Sequence, residues 1–277
     1  MIADLHIHTK ASDGKYTPKE IVQMAMCEKI DVIAITDHDT TDGIDQALEE
    51  AKNNNITVIP GIELSTLYNG NSVHILGYFN GMNYLESDFQ RFLKDIRDYR
   101  IYRARLILKK LDTLYNIKLD FNKVISETTG VLARPHIAEA IIKSGYNYSY
   151  EYIFNNFIGN NCPAYVPNKD ISIYEGIERL RNAGALVVLA HPKLLKNGIL
   201  NDVLNFKFDG MESIYYLNSE EETKEFIKMS KERDLIVTAG SDFHGSIKEE
   251  GSHAPKIGSV YLENDLVNIF LKRLHLM

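Results

Sequence analysis

The sequence predicts an α/β fold in which short strands alternate with helices and a helical segment interrupts the alternation. Three observations carry this reading. Six short runs rich in β-branched residues, "DVIAITDHD", "TVIPGIELS", "SVHILGYF", "ALVVLAHP", "GMESIYY" and "LIVTAGSDFH", are almost continuously apolar, as strands covered on both faces are. Helix-start signals lie between them. From about residue 81 to 167 the pattern is mostly helical. Strand–helix alternation predicts βα units and a parallel sheet, open or closed.

The elements follow in chain order. Residues 2–8 read as a first strand, in which His6 and His8, two apart, point the same way. Thr17-Pro18-Lys19-Glu20 is a capping box with proline at the first helical position. Ser172 to Glu175 and Ser219 to Glu222 repeat the capping pattern ahead of "IERLRNAG" and "TKEFIKMSKERD". Within the helical stretch, a long helix is expected from residue 87 or 88 to about 115, with shorter ones near 121–127, 135–144 and 150–157. The expected division is residues 1–80 with 168–277 as the α/β domain, and 81–167 as a helical insertion.

Composition narrows the function. With 277 residues the chain can bury a full core. Its net charge of −7 and pI of 5.7 disfavour a protein that coats long duplex DNA. A small anionic substrate stays compatible, because bound cations invert the local sign of an acidic site. Two cysteines, Cys27 and Cys162, lack metal-type spacing and suit a reducing cytoplasm. The first histidine arrives too early for a signal peptide, and no apolar run is long enough for a bilayer. A cytoplasmic protein without a membrane partner is expected.

The polar residues gather where such folds do chemistry. His6 and His8 close the first strand, and Asp13 follows shortly after. Asp37 and His38, Glu63, His191, and Asp242 with His244 sit at the ends of later strands, and His74 lies in "VHILGY". In parallel βα folds, strand C-termini and the loops after them form the active site. Six distant segments thus deliver imidazoles and carboxylates to one mouth. The donor set, without cysteine, suits Zn²⁺, Mn²⁺ or Fe²⁺. There are too many donors for one ion, so two or three ions bridged by carboxylate and hydroxide are expected. Closely spaced ions generate hydroxide and stabilise the attacking and leaving oxygens of a displacement at phosphorus. The same donors would also serve an amide hydrolase.

The ordered motifs "DLHIHTKASDG", "AITDHDTTDG", "GIELST", "VHILGY", "ARPHIA", "AHP" and "GSDFHG" resemble the PHP (polymerase and histidinol phosphatase) family over most of the chain. Stand-alone members with a helical insertion are most similar: nucleoside 3′,5′-bisphosphate phosphatases and 5′-3′ exoribonucleases acting on short RNA. The resemblance implies a distorted (β/α)7 barrel, with the inserted helical subdomain covering the active-site mouth. It also implies a trinuclear Mn, Fe or Zn centre. Carried over by position, His6, His8, Glu63 and Asp242 hold the first ion. Glu63 bridges to a second, held also by His74 and His191. Asp13, His38 and His244 hold the third. Arg134 in "ARPHIA" takes a phosphate-binding role, with His136 beside it. Arg100 and Arg103, on one side of the inserted helix, grip a second phosphate or a following nucleotide.

Other residues are read from their chemistry. Asp37 either handles protons, as a catalytic group, or supports His38; capping the next turn is an equal alternative. Thr40 and Thr41 open the turn into "DGIDQALEEA", where hydroxyls bind phosphate or cap a helix. His253 and His275 read as surface residues. The expected function is hydrolysis of a phosphate ester of a small nucleotide, such as 3′-phosphoadenosine 5′-phosphate, by hydroxide attack at the trinuclear centre. The alternatives are 5′-3′ exoribonuclease action on short RNA, histidinol phosphate hydrolysis, and a non-catalytic metal-stabilised binding module.

Overall fold

A computed structural model of the chain describes residues 1–52, 54–128, 130–196, 198–245 and 254–276; His253 lies outside them. The elements are, in order, β1 (Ile2–Ile7), α1 (Pro18–Cys27), β2 (Val32–Ile35), α2 (Ile44–Ala51), β3 (Thr57–Tyr68) and β4 (Asn71–Phe79). Next come α3 (Ser87–Tyr115), α4 (Phe121–Glu127), α5 (Arg134–Lys143), α6 (Tyr150–Ile153) with a π-helical turn at Phe154–Ile158, and α7 (Ile173–Asn182). The chain ends with β5 (Ala185–Leu189), α8 (Leu200–Val203), β6 (Gly210–Tyr215), α9 (Glu220–Glu232), β7 (Ile236–Gly240), β8 (Leu262–Glu263) and α10 (Asp265–Arg273). Two compact units divide it: Met1–Gln90 with Ile171–Met277, and Arg91–Asp170.

The first unit is a nearly closed barrel with strand order β7-β6-β5-β4-β3-β2-β1-β8. The end of β1 also meets the segment after β7: Asp242 N–H donates to His6 O (2.9 Å) and His8 N–H to Phe243 O (3.0 Å). Both sheet faces are covered, which explains the continuous apolar runs. Ala3, Leu5, Val32, Ala34 and Ala239 pack in one cluster with Val267 and Phe270 of α10. Ile7, Ile33, Ile35 and Val58 pack in another with Ile21 and Val22 of α1 and Ala47 of α2.

The helix starts obey local chemistry. Thr17 and Glu20 form a reciprocal capping box, as do Ser219 and Glu222. Ser172 caps α7 by accepting from Glu175 N–H at 3.1 Å.

The sheet departs from the expected parallel order. β4 runs antiparallel to both β3 and β5, and β8 runs antiparallel to β1. The cause at β3–β4 is a two-residue turn, Asn69-Gly70, with φ of 48° and 76°. Positive φ at both positions gives the turn whose twist matches a hairpin, and asparagine and glycine tolerate it best.

The second unit is helical. Ile107 and Leu111 of α3 pack with Ile137 and Ile141 of α5, Ile153 of α6, and Phe157 and Ile158 of the π-helical turn. Among the described residues, no helix is long and apolar enough to cross a membrane. His275 is exposed.

Candidate metal centre

Every candidate ligand of the barrel unit is brought into a shared cluster. Three groups of donor atoms lie within 4.8 Å of one another: His6, His8, Glu63 and Asp242; His8, Asp13, His38 and His244; and His38, Glu63 and His74. His191 joins through Nε2, 2.8 Å from Glu63 Oε1. His8, His38 and Glu63 thus each belong to two groups.

The backbone explains how distant residues meet. His6 and His8 alternate correctly and turn their Nε2 atoms to within 3.1 Å of each other. His38 bridges Glu63 at the next strand position, and Ser65 pairs with His74 across the hairpin. Because β4 is reversed, its beginning lies beside the far half of β3. His74 therefore reaches the cluster from the start of its strand, not the end. His191 and Asp242 adopt left-handed backbone, with φ of 25° and 53°. Such conformations cost non-glycine residues about 1–3 kcal/mol and concentrate at functional sites.

Glu63 is the centre of the arrangement and is almost wholly buried. Its Oε2 faces His6 (3.3 Å), His8 (3.2 Å) and His38 (3.0 Å). Its Oε1 faces His74 and His191, each at 2.8 Å. His8 and His6 Nε2 lie 3.1 and 3.5 Å from Asp242 Oδ1. His244 Nε2 lies 3.3 Å from Asp13 Oδ1, and its ring stacks on that of His8 at 4.0 Å.

This donor set fits a divalent cation. Ligands about 2.0–2.1 Å from a tetrahedral ion stand roughly 3.4 Å apart. Between His6, His8, Glu63 and Asp242 the separations run from 3.1 to 3.5 Å. Buried His8 Nδ1, Asp13 Oδ1, His38 Nδ1, Glu63 Oε2 and His191 Nδ1 have no hydrogen-bond partner within the protein. Each such atom costs about 1–3 kcal/mol when it stays unsatisfied. Two imidazole nitrogens aimed at one another beside two carboxylates present lone pairs to a common point, which a cation answers.

The charges within the cluster agree. Burial pulls His6 down, but Glu212, Glu63 and Asp242 outweigh it and hold the imidazole well above its usual range. His8 is likewise opposed by burial, yet Asp242 and Glu63 raise it to about 10. Burial lowers His38 to about 4. Burial works against ionisation of Glu63, Asp13 and Asp242, but the surrounding imidazoles hold all three carboxyls well below the usual range. The negative field that raises His6 and His8 is also one that attracts cations.

Supporting residues surround the donors. Asp37 accepts from Thr9 N–H (2.7 Å), Thr9 O–H (2.8 Å) and Ser12 O–H (2.6 Å), fastening the loop that carries Asp13. The Thr41 hydroxyl oxygen accepts from Gln90 at 2.8 Å. Asp4 and Glu212 are not among the residues that the sequence singles out. Asp4 is fully buried, raised to about 6 by burial, and accepts from Ser241 N–H (2.9 Å) and Gly258 N–H (2.8 Å). Glu212 accepts from His6 Nδ1–H (2.9 Å) and His191 N–H (2.8 Å). The one signal for them is an acidic residue inside a largely apolar strand with one further polar residue, "ADLHI" and "GMESI".

The arginines belong to the helical unit. Arg100 and Arg103 are buried in α3, and Arg103 Nε donates to Val166 O at 2.7 Å. Burial, then the charges of Arg134 and Arg100, bring Arg103 down to about 9. Arg134 opens α5, donates to Ile158 O (3.3 Å) and Asn160 Oδ1 (3.0 Å), and lies over the rings of Phe154 and Tyr165. His136 Nδ1 accepts from Ala133 N–H at 3.0 Å, capping that helix.

Residues 4–100 match the model of the PHP domain. A 5′-3′ exoribonuclease of Escherichia coli K12 is 30% identical over 253 residues, covering 88% of this chain and 85% of its own. The chain belongs to the PHP family. Within that family, a 3′,5′-nucleoside bisphosphate phosphatase of Chromobacterium violaceum is 28% identical, covering 87% of this chain and 86% of its own. A solved structure described as a metal-dependent phosphoesterase of Bifidobacterium adolescentis superposes with a TM-score of 0.83 at 26% identity, covering 98% of this PHP chain and 96% of the other. This PHP protein is a hydrolase of the metal-dependent phosphoesterase class.

Proposed function

We propose that the chain hydrolyses a phosphate ester of a small nucleotide, a nucleoside 3′,5′-bisphosphate, at a trinuclear centre of Mn, Fe or Zn. The observation that carries this reading is Glu63, whose two oxygens face two separate sets of imidazoles. One carboxylate so placed is built to bridge. His6, His8, Glu63 and Asp242 hold one ion; Glu63, His74 and His191 a second; Asp13, His38 and His244 the third. His8 stands close enough to the last group to share in it. Ions held there supply hydroxide at neutral pH and neutralise charge on phosphoryl oxygens.

The protein's own groups do the rest. Asp37 keeps the Asp13 loop in register through Thr9 and Ser12. The arginines of the helical unit present cations to substrate. Arg134 takes a phosphate that is not being cleaved, its guanidinium fork suited to two phosphate oxygens. Arg100, Arg103, His136 and Thr41 complete the grip. Buried cations that lower one another are well served by an anion, and the likeness to a bisphosphate phosphatase names a substrate class with two phosphates.

A second reading, 5′-3′ exoribonuclease action on short RNA, is favoured by the Escherichia coli relative. The same centre serves both. Purified protein assayed on 3′-phosphoadenosine 5′-phosphate, on short 5′-phosphorylated RNA and on histidinol phosphate decides between them. The highest kcat/KM is expected on the bisphosphate. A higher value on RNA establishes the second reading, and no hydrolysis of any phosphoester sinks both.

A further inference from the structure

β6 contributes none of the candidate ligands, yet it touches three segments that do. Its pairing with β7 is irregular: Glu212 pairs with Thr238, but Ile214 pairs with Ala239 and Tyr215 with Gly240. β6 therefore spends three residues where β7 spends two. In a regular strand, residues three apart face opposite sides. The extra residue of a bulge cancels that alternation and re-aims the side chains. Ser213, the residue between, points to α9, with Oγ 2.8 Å from Ser230 Oγ. Glu212 and Tyr215 both point into the cluster.

What they touch is specific. Glu212 accepts from His6 Nδ1–H on one oxygen and from His191 N–H on the other. Tyr215 O–H donates to Asp242 Oδ2 at 3.0 Å. Glu212 is fully buried and Tyr215 nearly so. The position beside them is kept bare: a Cβ on Gly240 would sit 2.2 Å from His6 Cβ and 2.4 Å from Glu212 Oε1.

We propose that β6 is the orienting strand of the metal centre, with Glu212 and Tyr215 as positioning residues for the ion held by His6, His8, Glu63 and Asp242. A proton held on His6 Nδ1 by Glu212 leaves the Nε2 lone pair for the ion, and the carboxylate makes that nitrogen more basic. Tyr215 occupies Oδ2 of Asp242 and leaves Oδ1 toward His6 and His8. Glu212 also steadies the left-handed backbone of His191. The inference rests on the metal-centre reading above.

The test is Mn²⁺ affinity by chelator competition, with occupancy at each position from anomalous diffraction, on wild type, Glu212→Ala, Glu212→Gln, Tyr215→Phe and Gly240→Ala. Glu212→Ala should weaken the ion at His6 and Asp242 about ten- to a hundred-fold, the usual cost of losing an outer partner of a ligand. Glu212→Gln should fall between, because one amide oxygen must serve two donors. Tyr215→Phe should weaken the same ion and spare the Asp13–His38–His244 group. Gly240→Ala should imitate Glu212→Ala while removing no polar group. Folded variants with wild-type affinity at that position overturn the proposal, and so does an equal loss at every position. If Glu212→Ala does not fold, Glu212→Gln and Tyr215→Phe decide. A wild-type protein without an ion at these residues overturns the metal-centre reading itself; wild-type binding with unchanged variants overturns only this inference.

Discussion

At the barrel mouth, three carboxylates, Asp13, Glu63 and Asp242, face six imidazoles drawn from segments as distant as His6 and His244. In the helical unit, three guanidinium groups influence one another across one helix and the start of another. The first cluster is made by strands, whose pairing fixes each side chain against a neighbour. The second is made by a helix and loops: Arg103 donates to a backbone carbonyl, and Arg134 donates to a carbonyl and the Asn160 side chain and lies over aromatic rings. Glu63, His6 and His8 in the first and Arg100 and Arg103 in the second are buried. The first offers imidazole and carboxylate donors that suit a divalent cation, whereas the second gathers guanidinium groups whose charges lower one another.

The largest effect should come from emptying the strand-built cluster. Purified protein should carry more than one transition metal per chain. Chelation should lower hydrolysis roughly a thousand-fold or more, with Mn²⁺ restoring it. A metal-free chain of full activity breaks the comparison at its root.

Single ligands sharpen it. Glu63→Ala should remove two ions together, because its oxygens face two imidazole sets. His244→Ala should empty mainly the position shared with Asp13 and His38. Anomalous diffraction reads both, and two ions persisting in Glu63→Ala would refute the bridge.

The helix-built cluster should give a smaller, substrate-dependent effect. A charged hydrogen bond contributes about 1.5–3 kcal/mol. Arg134→Ala should then lower kcat/KM roughly ten- to a hundred-fold on a nucleoside 3′,5′-bisphosphate, and much less on an aryl phosphate. Arg100→Ala and Arg103→Ala should follow the same pattern. Equal losses on both substrates would place Arg134 at the scissile phosphate.

The smallest effect concerns metal-free stability. In the folded chain His8 is raised to about 10 and His6 well above its usual range. Groups raised on folding stabilise fully below their unfolded value near 6.5, and that contribution is lost as pH climbs through the folded value. The melting temperature of the metal-free protein should therefore fall between about pH 6.5 and 10. Metal-loaded protein, whose imidazoles are already deprotonated, should show a flatter profile. A metal-free melting temperature that rises over this interval contradicts the reading of the cluster's field.

Much of this site is legible in the amino-acid sequence, and the physical reason is locality. Capping boxes at Thr17 and Ser219 act within four residues, so the sequence displays them whole. His6 and His8 share a face because strands alternate with period two, a property of the chain itself. The nine donors stand out as polar residues ending or interrupting apolar runs. The antiparallel course of β4 is also written locally, in Asn69-Gly70. Alternation with helices favours parallel neighbours, however, and one short turn weighs little against a pattern that spans the chain.

What composition and spacing determined about this protein was thus the α/β pattern, the helical segment, and the donor types that suit a divalent cation. Tertiary structure alone decided which oxygen of Glu63 meets which imidazole, and that His74 enters from the beginning of its strand. It also decided that Arg100 and Arg103 are buried. Glu212 shows the reason most plainly. Its partner His6 lies 206 residues away, and the bulge that aims it is defined by pairing with β7. A bulge has no meaning in one strand taken alone, so nothing in "GMESIYY" could announce which way that carboxylate would point.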